Sequence, residues 1–284
     1  TTYTLNRIEK EGWIESVDLP VESEPDHNGV HKPEDIKTLS GQQQEAFEQI
    51  RESLDSQSFK SYLLFGVTGS GKTEVYIHAL KHALEQRRGG LVLVPEIALT
   101  PQTVQRFYRI FGDQIAVLHS RLSERERFEA WQSLKSGEKR IAIGPRSAVF
   151  APVRDVGLIV VDEEHDTSYK QYDPAPRYHA RDVAVMRAHM ENAVAVLGSA
   201  TPGMVSVQAV KEGKHELLHL PMRPTGTMPE VCILNMLEYK SAMRGPLTVE
   251  LYSEVEKALK RKEPVILLYN RRGFSSYLQC EDCG

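Results

Sequence analysis

The chain has 284 residues, 40% of them hydrophobic and 26% charged, with a formal net charge of −4. That length buries one large core or two ordinary ones, and no stretch is apolar enough to span a bilayer as a helix. Slight acidity argues against a protein that coats nucleic acid by bulk charge, while leaving room for a local basic track. Three cysteines, two of them spaced C-x-x-C, fit a reducing, cytoplasmic setting better than a disulfide framework. A start at Thr1 and an end at Cys283-Gly284 read as a segment of a longer protein.

Thr2 to Gly12 reads as a short helix with Leu5 and Ile8 inward, and Trp13 to Val17 as a strand. This suits either the tail of a winged-helix module or an ornament on the main domain. Glu22 to Lys37, poor in apolar residues, is a linker. A helix then opens at Leu39-Ser40-Gly41-Gln42-Gln43, with Ala46, Phe47 and Ile50 on one face. A glutamine ahead of a nucleotide loop can read adenine, since its amide both donates and accepts; on pattern alone, a solvated helical role is the commoner one for any of the three.

The apolar run Tyr62 to Phe65 leads into Gly66-Val67-Thr68-Gly69-Ser70-Gly71-Lys72-Thr73 and an amphipathic helix, Glu74 to Leu84. This is a phosphate-binding loop in its required strand–loop–helix setting. Glycines turn consecutive N–H groups toward a phosphate, Lys72 reaches the β/γ-phosphates, and the Thr73 hydroxyl can ligate Mg²⁺. Gly69, Ser70 and Gly71 complete the cradle.

Further on, Leu91 to Val94 reads as a strand buried on both faces, and Thr100-Pro101 starts a helix that ends at Gly112. Gln114 to Leu118 is a strand, and Ser123 with Glu126 forms a capping box for a helix ending at Ser136-Gly137. Strands at Arg140 to Ile143, Leu158 to Val161 and Val194 to Leu197 surround a helix from Arg177 to Met190. Thr201-Pro202 opens one more helix, closed by Gly213. The alternation predicts a doubly wound α/β domain over 38–220, with its ligand at the carboxyl ends of the strands. The Pro-rich stretch Pro221 to Pro229 marks a boundary. Beyond it, strand Val231 to Leu234, helix Thr248 to Lys262 and strand Val265 to Tyr269 begin a second α/β unit, 221–284, with too few elements for its own core.

Leu158 to Val161 delivers Asp162-Glu163-Glu164-His165 to a strand end. There Asp162 can hold Mg²⁺ and Glu163 can orient the water that attacks a γ-phosphate. His165 could carry nucleotide state outward, and Ser199 and Thr201 of Gly198-Ser199-Ala200-Thr201 lie where they could hydrogen-bond this segment. Taken alone, His165 is more often a satisfied local hydrogen-bond donor, and an ordinary helix cap explains Thr201 equally well.

Together with Val94-Pro95-Glu96-Ile97-Ala98-Leu99-Thr100-Pro101-Gln102, His119-Ser120, Gly144-Pro145-Arg146-Ser147, Tyr169-Lys170-Gln171, Pro176 to Asp182 and Asn270-Arg271-Arg272-Gly273-Phe274, these motifs resemble the PriA family of bacterial replication-restart helicases, in superfamily two. The likeness runs from about Leu39 to the C-terminus. It implies a RecA-like motor lobe, followed by the start of a second, in a 3′-to-5′ DNA helicase that uses ATP and Mg²⁺. Such a helicase opens forked DNA at stalled forks so that the primosome can assemble. Expected partners are forked and single-stranded DNA, primosome proteins and single-stranded DNA-binding protein.

By the same resemblance Lys72, Thr73, Asp162 and Glu163 serve hydrolysis, and Gln43 the adenine. Arg146, His165, Ser199 and Thr201 couple DNA to ATP, although Pro145 replaces the family's usual Thr. Thr167 to Arg181 matches an aromatic-rich coupling loop: Tyr169, Tyr172 and Tyr178 offer stacking faces, with Lys170, Arg177 and Arg181 for phosphates. Cys280 and Cys283 supply half of a tetrahedral Zn²⁺ site expected in the longer protein. Two rival readings are a nucleotide-dependent DNA-binding module without useful turnover and a small-molecule kinase; the latter lacks any lid or acceptor segment.

Overall fold

The computed structural model describes residues 36–99, 101–224, 230–235, 243–244 and 247–268. The helix, strand and linker expected before residue 36, the Thr100 cap, and Cys280 and Cys283 lie outside them. The chain divides into two compact units, Thr1–Thr227 and Met228–Gly284.

The first unit is built on seven strands: β1 (Lys60–Gly66), β2 (Gly89–Leu93), β3 (Ile115–Val117), β4 (Ile141–Gly144), β5 (Val156–Val161), β6 (Val194–Ser199) and β7 (Glu216–Leu220). They form one sheet in the order β3-β4-β2-β5-β6-β1-β7, and every pairing is parallel. Six helices cover it: α1 (Gly41–Asp55), α2 (Lys72–Glu85), α3 (Pro101–Phe111), α4 (Glu124–Ser136), α5 (Ala180–Met190) and α6 (Met204–Lys211).

Because side chains alternate across a strand, each apolar run feeds two cores. Tyr62, Leu64, Leu158, Val160 and Val196 meet Ile50, Leu54, Tyr76, Leu80 and Phe107 on one face. Leu63, Ile159, Val161, Ala195 and Leu197 meet Leu134, Val149, Ala184 and Ala188 on the other. The Ser123 capping box forms as its spacing requires: Ser123 N–H donates to Glu126 Oε2 at 2.8 Å, and Glu126 N–H to Ser123 Oγ at 3.3 Å. Gly137 then ends α4 in the left-handed region, at φ 83°.

Two expected helix starts need correction, and one strand adds to the expected set. Helix α5 begins at Ala180, not Arg177, because His179 is itself extended, at φ −114° and ψ 119°, where it bridges Lys170 as an isolated antiparallel pair. Helix α6 begins after Gly203 rather than at Thr201: the Gly203 N–H is taken by the Glu164 carboxylate, 2.7 Å away, so a residue from β5's end caps it. Strand β7 has no counterpart in the sequence reading.

In the second unit, a two-residue pair of β8 (Met243–Arg244) and β9 (Leu247–Thr248) precedes helix α7 (Val249–Lys260). Thr248 caps that helix by accepting from Leu251 N–H at 3.2 Å. Residues 230–235 and 263–268 carry no strand, so those two expected strands do not form among the described residues. An apolar run becomes a strand only where a ladder partner satisfies its backbone.

Candidate nucleotide and coupling site

Strand β1 ends at Gly66, and the loop returns to open α2 at Lys72. Gly69 and Gly71 sit at φ 82° and 81°, which a side chain resists. A Cβ on Gly66 would lie 2.5 Å from Ser70 Oγ, so the loop folds onto its own strand end. Lys72 is buried and donates to the Gly66 carbonyl at 3.0 Å. Ser70 Oγ is buried and has no hydrogen-bond partner among the described residues. A buried hydroxyl wanting a partner, a buried ammonium and the positive end of α2 in one glycine-shaped cradle fit a polyphosphate. Thr73 follows one residue into the helix, half-buried.

Gln43 is buried beside this loop. Its Oε1 accepts from Ser40 N–H at 2.8 Å, and its Nε2 donates to the Ser70 carbonyl at 2.7 Å. The amide expected to read adenine is thus committed at both ends to protein, tying the start of α1 to the phosphate loop. Arg223 lies over the loop from the segment after β7, donating from Nε to the Thr68 carbonyl at 2.8 Å. No pattern in the sequence marked it, since its position depends on β7 pairing beside β1.

Strand β5 places Asp162 beyond Val161, where its N–H donates to Leu93 O at 2.9 Å. Burial pushes the Asp162 carboxyl above its ordinary range and the Glu163 charge adds to this, while the Tyr76 hydroxyl and the Lys72 charge pull it down. Tyr76 donates to Asp162 Oδ1 at 3.1 Å; nothing in the sequence singled this residue out. Gly198 makes room for the pair, because a Cβ there would lie 1.6 Å from the Tyr76 hydroxyl and 3.4 Å from Asp162 Oδ1. Glu163 adopts φ 46°, in the left-handed region, and its carboxylate stands 3.7 Å from His165 Nδ1.

His165 meets β6's end at two points. Its Nδ1 lies 2.7 Å from Ser199 Oγ and its Nε2 3.3 Å from Thr201 Oγ1, and Thr201 N–H donates to Ser199 Oγ at 2.9 Å. The hydroxyls therefore reach the Asp162-to-His165 segment directly. Glu164 turns the opposite way. Fully buried, it accepts from Ser206 Oγ at 2.7 Å and pairs with Arg181 at 3.1 Å, besides capping α6. In the sequence Glu164 stands out only as part of its motif; the buried partner that marks its role, Arg181, lies on α5.

The aromatic loop divides. Tyr169, expected to stack on bases, is wholly buried, and its hydroxyl donates to the Asp162 carbonyl at 2.7 Å. Burial and the nearby Asp162 charge hold its phenol well above the ordinary range. It supports the acidic strand end from inside the core and presents no face to a ligand. Arg181, expected at phosphates, is consumed by Glu164 and Asp182. Tyr172 stands 70% exposed, and Arg177 is exposed. Tyr178 is half-buried, edge-to-face with Phe150 at 5.1 Å, with the Arg146 guanidinium 6.0 Å from its ring. Arg146 also donates to the Lys170 carbonyl at 2.9 Å, joining the loop after β4 to the one after β5. Among the described residues, no group of three His, Cys, Asp or Glu side chains is placed to hold a metal, and no helix is long and apolar enough to cross a membrane.

Residues 40–210 match the DEAD/DEAH box helicase family. The replication restart protein PriA of Bacillus subtilis is 42% identical over 99% of this chain and 35% of its own length. Its counterparts in Chlamydia pneumoniae and Haemophilus influenzae are 41% and 39% identical over 98% of the chain and 38% of their own lengths. The chain thus spans little more than a third of these curated relatives. Among solved structures, RecG bound to a three-way DNA junction superposes with a TM-score of 0.56 at 21% identity, over 79% of this chain and 28% of that one. The DUF1998 helicase MrfA gives 0.55 at 18%, over 84% and 37%. These two share the RecA-like helicase-lobe fold. With the family match extending from the first helix into α6, the chain belongs to the DEAD/DEAH box helicase family, and over nearly its whole length it is similar to the PriA proteins.

Proposed function

We propose that this chain is the ATP-binding lobe of a 3′-to-5′ DNA helicase of replication restart, one that binds forked DNA at stalled forks and unwinds it for primosome assembly. The observation that carries the reading is the meeting of three strand ends. The phosphate cradle after β1, Asp162-Glu163 after β5 and the hydroxyls of Ser199 and Thr201 after β6 stand side by side, with His165 bonded across. That the relatives are replication restart proteins supports the restart role.

The Ser70 hydroxyl, the loop N–H groups and the Lys72 ammonium would hold the phosphates, and the Thr73 hydroxyl with the Asp162 carboxylate the Mg²⁺. Bound Mg-ATP supplies the hydrolysable phosphoryl group. Glu163 orients the attacking water and takes its proton on the side-chain carboxylate. His165 hands any shift of this acidic segment to Ser199 and Thr201. On the other side of the site, Arg146, Lys170, Tyr172, Arg177 and Tyr178 form the DNA-facing group, with stacking left to Tyr172 and Tyr178. Cys280 and Cys283 contribute two thiolates to a Zn²⁺ site in the longer protein, and primosome proteins and single-stranded DNA-binding protein are its partners in the cytoplasm.

The deciding measurement is steady-state ATP turnover with and without forked DNA, with Lys72→Ala as the blank. Turnover by the full-length protein that rises with DNA and vanishes in the variant is the expected result. The chain alone is expected to bind ADP, and unchanged ADP affinity in Lys72→Ala by calorimetry would overturn the site.

A further inference from the structure

The chain that leaves β7 stays with the phosphate loop. At the end of that strand the Leu220 carbonyl accepts from Val67 N–H at 3.2 Å, so the edge strand walls the root of the loop. Just beyond, Arg223 lies across the loop's crown. Its Nε donates to the Thr68 carbonyl at 2.8 Å, and a Cβ on Gly69 would meet Arg223 Nε, Cδ and Cγ at 3.5, 3.6 and 3.8 Å. The arm therefore rests on the bare α-carbon of a left-handed glycine, φ 82°.

That single bond leaves most of the guanidinium unused. Arg223 is half-buried, no carboxylate pairs with it among the described residues, and its terminal nitrogens have no hydrogen-bond partner there. Satisfying the loop's backbone does not call for a charge. The Val67 and Gly71 carbonyls accept from the N–H groups of Ser70 and Glu74, each at 2.9 Å, and the Ser70 carbonyl accepts from the Gln43 amide at 2.7 Å. A neutral donor would serve Thr68 equally well. A guanidinium drawn partly out of water, without a counter-charge, beside a cradle shaped for anions is accounted for by the anion that the cradle receives.

We propose that Arg223 is a second cationic contact for the bound nucleotide, its terminal nitrogens holding the phosphate chain while Nε keeps the arm anchored on Thr68. This rests on the nucleotide-site reading above and deepens it. Lys72 meets the phosphates as a point charge, whereas the planar fork of Arg223 offers parallel N–H groups that match phosphate oxygens. The two cations arrive from different elements, one from α2 and one from the stretch after β7, so a nucleotide gripped by both fastens that stretch to the loop.

The test is calorimetry of ADP binding to the 284-residue chain at fixed Mg²⁺ and a series of salt concentrations, for the unaltered protein, Arg223→Ala, Arg223→Gln, Arg223→Lys and Lys72→Ala. Arg223→Ala and Arg223→Gln should each weaken ADP about tenfold or more and make the affinity less sensitive to salt. Arg223→Lys, which keeps the charge but not the fork, should recover part of the affinity and the salt sensitivity. Glutamine can still donate to the Thr68 carbonyl, so Gln binding ADP as tightly as Lys, or a loss with unchanged salt sensitivity, would reduce Arg223 to a brace of the loop and overturn the proposal. Unchanged affinity in Arg223→Ala alongside a loss in Lys72→Ala would overturn it too, leaving the nucleotide site in place. No ADP binding by the unaltered chain would overturn the nucleotide-site reading as well. Ligand-free thermal midpoints should match across the Arg223 variants, and the comparison of Lys with Gln keeps the test decisive if Ala alone lowers its midpoint.

Discussion

At the scale of single residues, the site is governed by how little room its strand ends leave. Gly198 shows this most directly. A methyl group there would collide with the Tyr76 hydroxyl, and Tyr76 is buried and bonded to Asp162, so it has nowhere to go. Gly198→Ala should cost about 1–3 kcal/mol of stability by overpacking. Since relief would displace Tyr76 from the acid, hydrolysis by the assembled motor should fall further than stability does. Urea unfolding and turnover measured together check this; an unperturbed midpoint would refute the crowding argument. The phosphate loop and Asp162-Glu163 were legible because their spacing and residue types are fixed by what a phosphate and a cation demand. Tyr76 was not, because a tyrosine on the apolar face of a helix has the same pattern whether it fills a core or holds a carboxylate. Tyr169 misled for the converse reason: adjacency to Lys170 suggests a surface loop, whereas a single 3₁₀ turn rotates the ring inward.

Among the elements, one buried carboxylate joins three. Glu164 leaves β5, pairs with Arg181 on α5 and caps α6 through Gly203 and Ser206. Removing one member strands the other's charge inside the protein, so Glu164→Ala should destabilise by about 3–5 kcal/mol. Glu164→Gln, which keeps the cap but loses the charge, should recover part of it. A loss within error of a surface substitution, read from chemical unfolding, would show that Arg181 finds another partner. The helices themselves were readable from caps and periodicity, as at Ser123 and Gly137. The start of α6 was not, since its cap comes from a residue 39 positions earlier. Strand β7 escaped notice because Glu216 and His219 interrupt its apolar residues and it pairs on one side only.

For the whole molecule, two histidines set a pH limit. Burial lowers both His179 and His215 below the ordinary value of 6.5, with the Arg181 charge assisting. Each therefore favours the folded state when neutral. That contribution is complete above pH 6.5 and is lost as pH falls through the lowered folded values. The urea midpoint should drop between neutral pH and about pH 5, and the drop should shrink in the variant carrying His179→Gln and His215→Gln. An equal drop in that variant would assign the effect to other groups. The doubly wound class was legible because alternation of strands and helices leaves few alternatives. The second unit was only half legible: α7 carries its own cap, while the flanking apolar runs depend on neighbours that no pattern supplies.

The strand order also bears on synthesis at the ribosome. Strand β1 is the earliest made, yet its two neighbours are β6 and β7, the last of the sheet. Lys60 pairs with Val194, and Tyr62 with Glu216. At elongation rates of about 5–20 residues per second, the loop-bearing strand emerges roughly 7–27 seconds before either neighbour can flank it. Until then its apolar faces and unpaired edges stand open, and the nucleotide cradle cannot be completed by any nascent chain shorter than Leu220.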